Sequence, residues 1–135
     1  MSLAPYVKMA EGPETVGLDF RFQINGTSDP DRQFPAGAVK DVVRVSAGLF
    51  DITLQSKWPT MVTCVGSVQV AAVAAGQGAG FEPVSYTAST GVLRVRTVDF
   101  DNAGASAAAD PTDNDWVHVN AVFCRRDALM KEGAV

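Results

Sequence analysis

The sequence predicts an all-β fold: an antiparallel, jelly-roll-like β-sandwich of about seven to eight strands behind an irregular N-terminal arm. Three observations carry it. Apolar residues recur with a period of two over much of the chain, the signature of half-buried strands. Two connections ending in glycine, Ser46-Ala47-Gly48 and Ser89-Thr90-Gly91, separate such runs and suit hairpins closed by a left-handed residue. Twelve glycines and seven prolines favour turns and strands over helices.

Residues 1–17 read as an irregular arm, because Pro5, Gly12, Pro13 and Gly17 interrupt any sustained helix or central strand. Its apolar anchors are Leu3, Tyr6, Val7 and Met9. The body of the domain is expected over 18–124. Leu18 to Asn25 alternates, with Phe20, Phe22 and Ile24 on one face and Asp19, Arg21, Gln23 and Asn25 on the other. The turn formers of 25–31, followed by Pro35 and Gly37, place a loop before the central hairpin. In that hairpin Val39, Val43 and Val45 share one parity before the turn, and Phe50, Ile52 and Leu54 share one after it.

Trp58-Pro59 marks a corner, since proline cannot donate to a ladder and holds the preceding residue extended. Trp58 is therefore expected to cap one end of the core. In 61–73 the even set, Val62 to Ala72, is the more apolar and is expected to face inward, with Gly66 permitting a bulge or a close backbone approach. The glycine-rich stretch 74–80 reads as a flexible loop, because it lacks the lysine and the following helix of a phosphate-cradling motif. The second hairpin spans 81–100, and 101–115 reads as a long acidic loop. The last strand, 116–124, sets Val117, Val119, Ala121 and Phe123 inward against Trp116, His118 and Asn120. Strands are thus expected at 19–25, 38–46, 49–55, 61–73, 81–88, 91–99 and 116–124, and a polar tail at 125–135 with a helical turn at Ala128-Leu129-Met130.

The formal net charge of −4 argues against direct nucleic-acid binding, which needs clustered Lys and Arg; Arg125-Arg126 is the basic pair here. The first residues contain no apolar core of signal-peptide length, and the apolar reach from Met61 to Ala75 falls short of the ~20 residues of a membrane span, so no membrane partner is expected. Cys64 and Cys124 fit no metal or haem spacing and read as reduced core thiols in preference to a disulfide. No cofactor is expected. Asp99, Asp101, Gly104 and Asp110 occupy calcium-loop positions, but Ala103 stands where a ligand belongs and Asp110 replaces the usual glutamate, so a solvated acidic loop is the stronger reading. His118, the single histidine, is read as an outer-face strand residue, since no serine here lies in a nucleophile-elbow sequence and a small hydrolase is the weakest of three functional readings.

The stretch VRVSAGLFDITLQSKWPTMVTCVGSVQV from Val43 to Val70, then YTASTGVLRVRT and DNDWVHVNAVF, resembles the small β-sandwich proteins of tailed bacteriophages that decorate or cement the capsid. The resemblance covers 38–124. It implies a non-enzymatic virion component, assembled in the host cytoplasm, that binds the capsid exterior and clamps neighbouring major capsid proteins. It also implies a homo-oligomer, dimer or trimer. On that reading Leu3, Tyr6, Val7 and Met9 are candidates for capsid contact, and Trp58, Trp116 and His118 for subunit contact. The rival is a receptor- or glycan-binding fibre-head domain that would use the loops at 26–37, 74–80 and 101–115.

Overall fold

A computed structural model describes residues 14–35, 37, 39–70, 78–100 and 106–125 of the 135-residue chain. Their strands are β1 (Thr15–Gln23), β2 (Gln33–Phe34), β3 (Val39–Ser46), β4 (Leu49–Leu54), β5 (Thr60–Gln69), β6 (Gly78–Thr87), β7 (Val92–Phe100), β8 (Ser106–Ala108) and β9 (Trp116–Cys124). They form two antiparallel sheets. One has the order β2-β1-β9-β5; the other has the order β3-β4-β7-β6, with β8 paired to the far end of β7. The predicted all-β sandwich is the observed architecture, with seven long strands and two short ones.

Alternation dictates most of the core. Phe20 and Phe22 of β1, Phe50, Ile52 and Leu54 of β4, and Val117, Val119, Ala121 and Phe123 of β9 are all buried. Phe22 meets Phe50 across the sandwich at 5.3 Å between ring centroids, joining the two sheets. Phe123 is flanked by Tyr86 at 5.0 Å and by Trp58 at 6.5 Å, and the Tyr86 hydroxyl donates to the Trp58 carbonyl at 2.6 Å. Trp58 thus lies half-buried against the end of the core, the capping position expected from the Trp-Pro corner.

Both glycine-closed hairpins form. Gly48 and Gly91 have φ of +70°, the left-handed conformation that glycine adopts without steric cost. Gly48 is also wedged between chains: a Cβ there would stand 2.5 Å from Ala109 N and 2.7 Å from Thr97 O. Thr97 N donates to Gly48 O, Ala109 N to Thr97 O, and Thr97 Oγ1 to Ala109 O, so the β3–β4 turn and the segment after β8 are tied to one buried residue.

The inward set of β3 differs from the expectation. Val39 and Val42 are buried, whereas Val43 and Val45 are exposed, because the register slips between Val39 and Asp41 and again between Arg44 and Ser46. Each bulge inserts one residue and reverses the faces of those beyond it. The same device acts in β5, where a slip between Met61 and Thr63 leaves Val62 exposed although Cys64 is buried and Val68 packs on the core as predicted. A third slip, between Pro83 and Ser85 of β6, leaves Val84 exposed. Val45, Val62 and Val84 are the extra residues of their bulges, and β3, β5 and β6 are all at sheet edges. Bulges on edge strands twist unpaired backbone away from foreign strands, so these exposed valines belong to the edges' protection.

Several boundaries move. β1 begins at Thr15, so 15–17 belong to the sheet, paired with Cys124, Phe123 and Val122, and not to an arm. Gly78 to Gly80 belong to β6 and not to a flexible loop; Pro83 is tolerated there because β6 is an edge strand. The supposed loop at 101–115 contains β8, which continues the lane that β4 occupies beside β7. Residues 1–13 and 126–135, and with them the helical turn expected at 128–130, lie outside the described residues.

Candidate functional site

The outer face of the four-stranded sheet follows from the alternation that fills the core. With Phe20 and Phe22 inward, Asp19, Arg21 and Gln23 of β1 point outward; with Val117 and Val119 inward, Trp116, His118 and Asn120 of β9 do the same. Register aligns them. Arg21 stands opposite Phe34 on one side and His118 on the other, Gln23 opposite Trp116, and Asp19 opposite Asn120. β5 extends the face with Val65, Ser67 and Gln69 opposite Asn120, His118 and Trp116.

A row of rings and charge crosses three strands of this face. The Arg21 guanidinium lies over the Phe34 ring at 5.8 Å and over the Trp116 ring at 4.6 Å. Both distances fall in the range where a cation is attracted by an aromatic face. Phe34 is 64% exposed, the most exposed large apolar residue among those described. Beside the row, His118 Nε2 lies 2.5 Å from Asp19 Oδ1, so that nitrogen carries a proton which Asp19 accepts. Ser67 faces His118 across the ladder, yet among the described residues His118 hydrogen-bonds Asp19 and not Ser67. A nucleophilic triad needs the imidazole on the hydroxyl, which this arrangement does not supply.

The other outer face is built differently. Arg94 grips Asp51 through Nε and Nη2 at 2.7 and 2.9 Å, and Arg96 grips Glu82, across neighbouring strands of β4, β7 and β6. These are opposite charges directly across a ladder, the ordinary stabilising pattern of a solvated sheet face.

The remaining candidate residues fall elsewhere. Trp58 is at the core end and not on the aromatic face, whereas Trp116 and His118 share that face. Asp110 is committed to structure: its oxygens accept Arg44 Nε at 3.0 Å, Arg44 Nη2 at 2.7 Å and Gly48 N–H at 2.9 Å. Burial pushes its carboxyl up, but the Arg44 and Gly48 hydrogen bonds outweigh that and hold it below the usual carboxylate range. A carboxylate filled in this way is not a calcium ligand, so the calcium-loop reading loses Asp110; Asp99 is exposed on β7, and Asp101 lies outside the described residues. Leu3, Tyr6, Val7 and Met9 also lie outside them. Cys64 and Cys124 are buried and unbonded, and burial pushes the Cys64 thiol up to about 11, which keeps it protonated and unreactive.

Sequence reasoning placed Trp116 and His118 on the outer face but missed Arg21 and Phe34 as their neighbours. Arg21 read as one polar member of an alternating strand, and Phe34 sat in a presumed loop. The available signal was an aromatic residue before Pro35 that fits no apolar periodicity. Compared with known proteins, the chain matches no family model, and neither a curated protein nor a solved structure is significantly similar to it.

Proposed function

We propose that this chain is a structural virion protein that binds the outer surface of a phage capsid, acts in several copies and stabilises contacts between major capsid proteins. The observation that carries the reading is the outer face of the four-stranded sheet, where Phe34, Arg21 and Trp116 form an exposed row of the residue types that dominate protein interfaces. A rigid sandwich with one adhesive face suits a protein that works by contact, many weak sites adding through multivalency. The resemblance of 38–124 to phage decoration proteins supplies the partner, and the anchors Leu3, Tyr6, Val7 and Met9 are the segment assigned to the shell.

The test is to mix purified protein with shells of the encoding phage that have been stripped of it, and to image the mixture by cryo-electron microscopy. Because β1 starts at Thr15, the comparison protein lacks only residues 1–13. Density on the shell exterior for the full chain, weakened in the truncated one, supports the reading; bare shells at saturating protein overturn it. A glycan-binding fibre-head domain is the second reading, favoured by Trp116 sharing an outer face with the polar groups of His118 and Asn120, since sugar rings stack on aromatics while their hydroxyls bind such groups. It gains ground if shells stay bare and a glycan raises the melting temperature.

A further inference from the structure

Arg44, Arg94 and Arg96 each bind a carboxylate of this chain, in Asp110, Asp51 and Glu82 respectively. Arg21 has no carboxylate partner among the described residues, although Asp19 stands two residues away on the same strand and face. Its guanidinium is instead fixed by two rings, with hydrogen-bond donors left over for an anion outside the domain.

We propose that the outer face of the four-stranded sheet is a two-fold symmetric interface on which a second copy of this chain docks, Arg21 of each copy binding Asp19 of the other. The inference rests on the reading of the chain as a protein that works in copies, and it adds where they meet. A self-complementary face must present each group and its complement on opposite sides of one axis. Take an axis between the facing sheets, running across the strands at the level of Phe20. It carries residue 19 of one β1 over residue 21 of the other. The register then fixes what else meets: the level of Gln23 and Trp116 is exchanged with that of Gly17 and Val122, so Trp116 comes over an apolar side chain and the space beside a glycine. One rotation therefore pairs both charges and sets Trp116 over Val122.

The size is at the lower end of what a dimer needs. Three strands of nine or ten residues at ~3.3 Å per residue and ~4.8 Å spacing, with the two residues of β2 beside them, offer a footprint on the order of 500 Å² before corrugation is counted. A standard interface buries about 800 Å² of accessible surface per partner, so the whole face is used. Asp19 holds His118 through Oδ1 alone, whereas on the opposite outer face Arg94 and Arg96 are both already bound to carboxylates of their own chain and leave no such guanidinium for a second copy.

Sedimentation velocity of the full chain over a wide concentration range tests this. The expected result is a reversible dimer whose dissociation constant rises at least ~10-fold in Arg21→Glu and in Asp19→Lys, each of which places like charges together. The double exchange Arg21→Asp with Asp19→Arg is expected to recover dimerisation to within ~3-fold of the unaltered chain, because swapping both ends rebuilds the pair. Circular dichroism checks that each variant folds; should Asp19→Lys fail, Trp116→Ala takes its place and is also expected to weaken the dimer. A chain that stays monomeric throughout, single variants that dimerise normally, or a double exchange that restores nothing overturns the proposal. A monomer that still decorates shells overturns this interface and spares the shell reading. A dimer with the predicted charge dependence that ignores shells, or an oligomer of a shell-bound form only, separates the two in the opposite sense: the former supports the interface alone, the latter overturns it in solution.

Discussion

The two sheets share one core and present opposite outer faces. On β4, β7 and β6 the outward arginines, Arg94 and Arg96, are neutralised across the ladder by Asp51 and Glu82. On β1 and β9 the outward arginine is held by aromatic rings, and the nearby carboxylate is bound to a histidine. Among the described residues, both arginines of the first face are bound to carboxylates, whereas that of the second keeps spare hydrogen-bonding capacity beside the exposed Phe34. The same antiparallel pairing therefore carries neutralised charges on one side and an arginine held between rings on the other, and the difference rests on which residue types face each other across three strands.

That contrast holds only if the interior belongs equally to both sheets, which sets the largest expected effect. Phe123→Ala removes the ring that Trp58 and Tyr86 pack against, and is expected to lower unfolding free energy by about 3–5 kcal/mol in urea titrations, the range for an aromatic deleted from a core. A much smaller loss would mean that the two sheets are coupled elsewhere.

Next come the close approaches that hold the sheets in place. A Cβ on Gly66 would stand 2.8 Å from the Phe81 ring and meet the His118 carbonyl, where β5 runs beside β6. Gly66→Ala is expected to cost on the order of 2 kcal/mol, since overpacking typically costs 1–3. The same thermal scans on Gly48→Ala should show a comparable or greater loss, because its φ of +70° adds strain to the clash with Ala109. If either variant melts like the parent, the corresponding contact does not constrain the sandwich.

A smaller effect is pH-dependent. Asp110 is held below the usual carboxylate range, so its stabilising contribution is present in full above the unfolded value near ~4 and is lost as pH falls through the folded value. Stability measured from about pH 6 down to about pH 2 should therefore fall, and Asp110→Asn should start lower and fall less steeply. Equal slopes in the two proteins would assign acid lability to other groups.

The smallest expected effects sharpen the comparison of faces. Glu82→Ala, on the solvated wall, should leave the denaturation midpoint within the scatter of repeat measurements, as exposed ion pairs usually do, while Asp51→Ala, which breaks a bidentate and partly buried pair, should cost at most ~1 kcal/mol. They should leave self-association untouched as well. Trp116→Ala is the complementary variant, with little change in melting and a marked loss of association.

Much of this molecule is legible in its sequence, for a local reason. Alternation in 18–25, 50–54 and 116–124 fixes which side chains are buried, since adjacent residues in a strand must point to opposite faces. The glycines at 48 and 91 mark the hairpins because their conformation is set within the turn itself. Parity through β3 was not legible. A bulge is defined by the partner strand, which skips a residue that the bulged strand retains, so nothing near Lys40 announces that Val42 and not Val43 turns inward. The ion pair of Arg44 with Asp110 joins residues on different elements, and the row of Phe34, Arg21 and Trp116 draws one side chain from each of three strands. By itself the sequence determined the class of fold, the inward faces of its regular strands and its turns. Only the tertiary structure decided the bulges, the fate of Asp110 and the row of Phe34, Arg21 and Trp116, because lateral pairing between distant strands, and not local periodicity, brings those residues together.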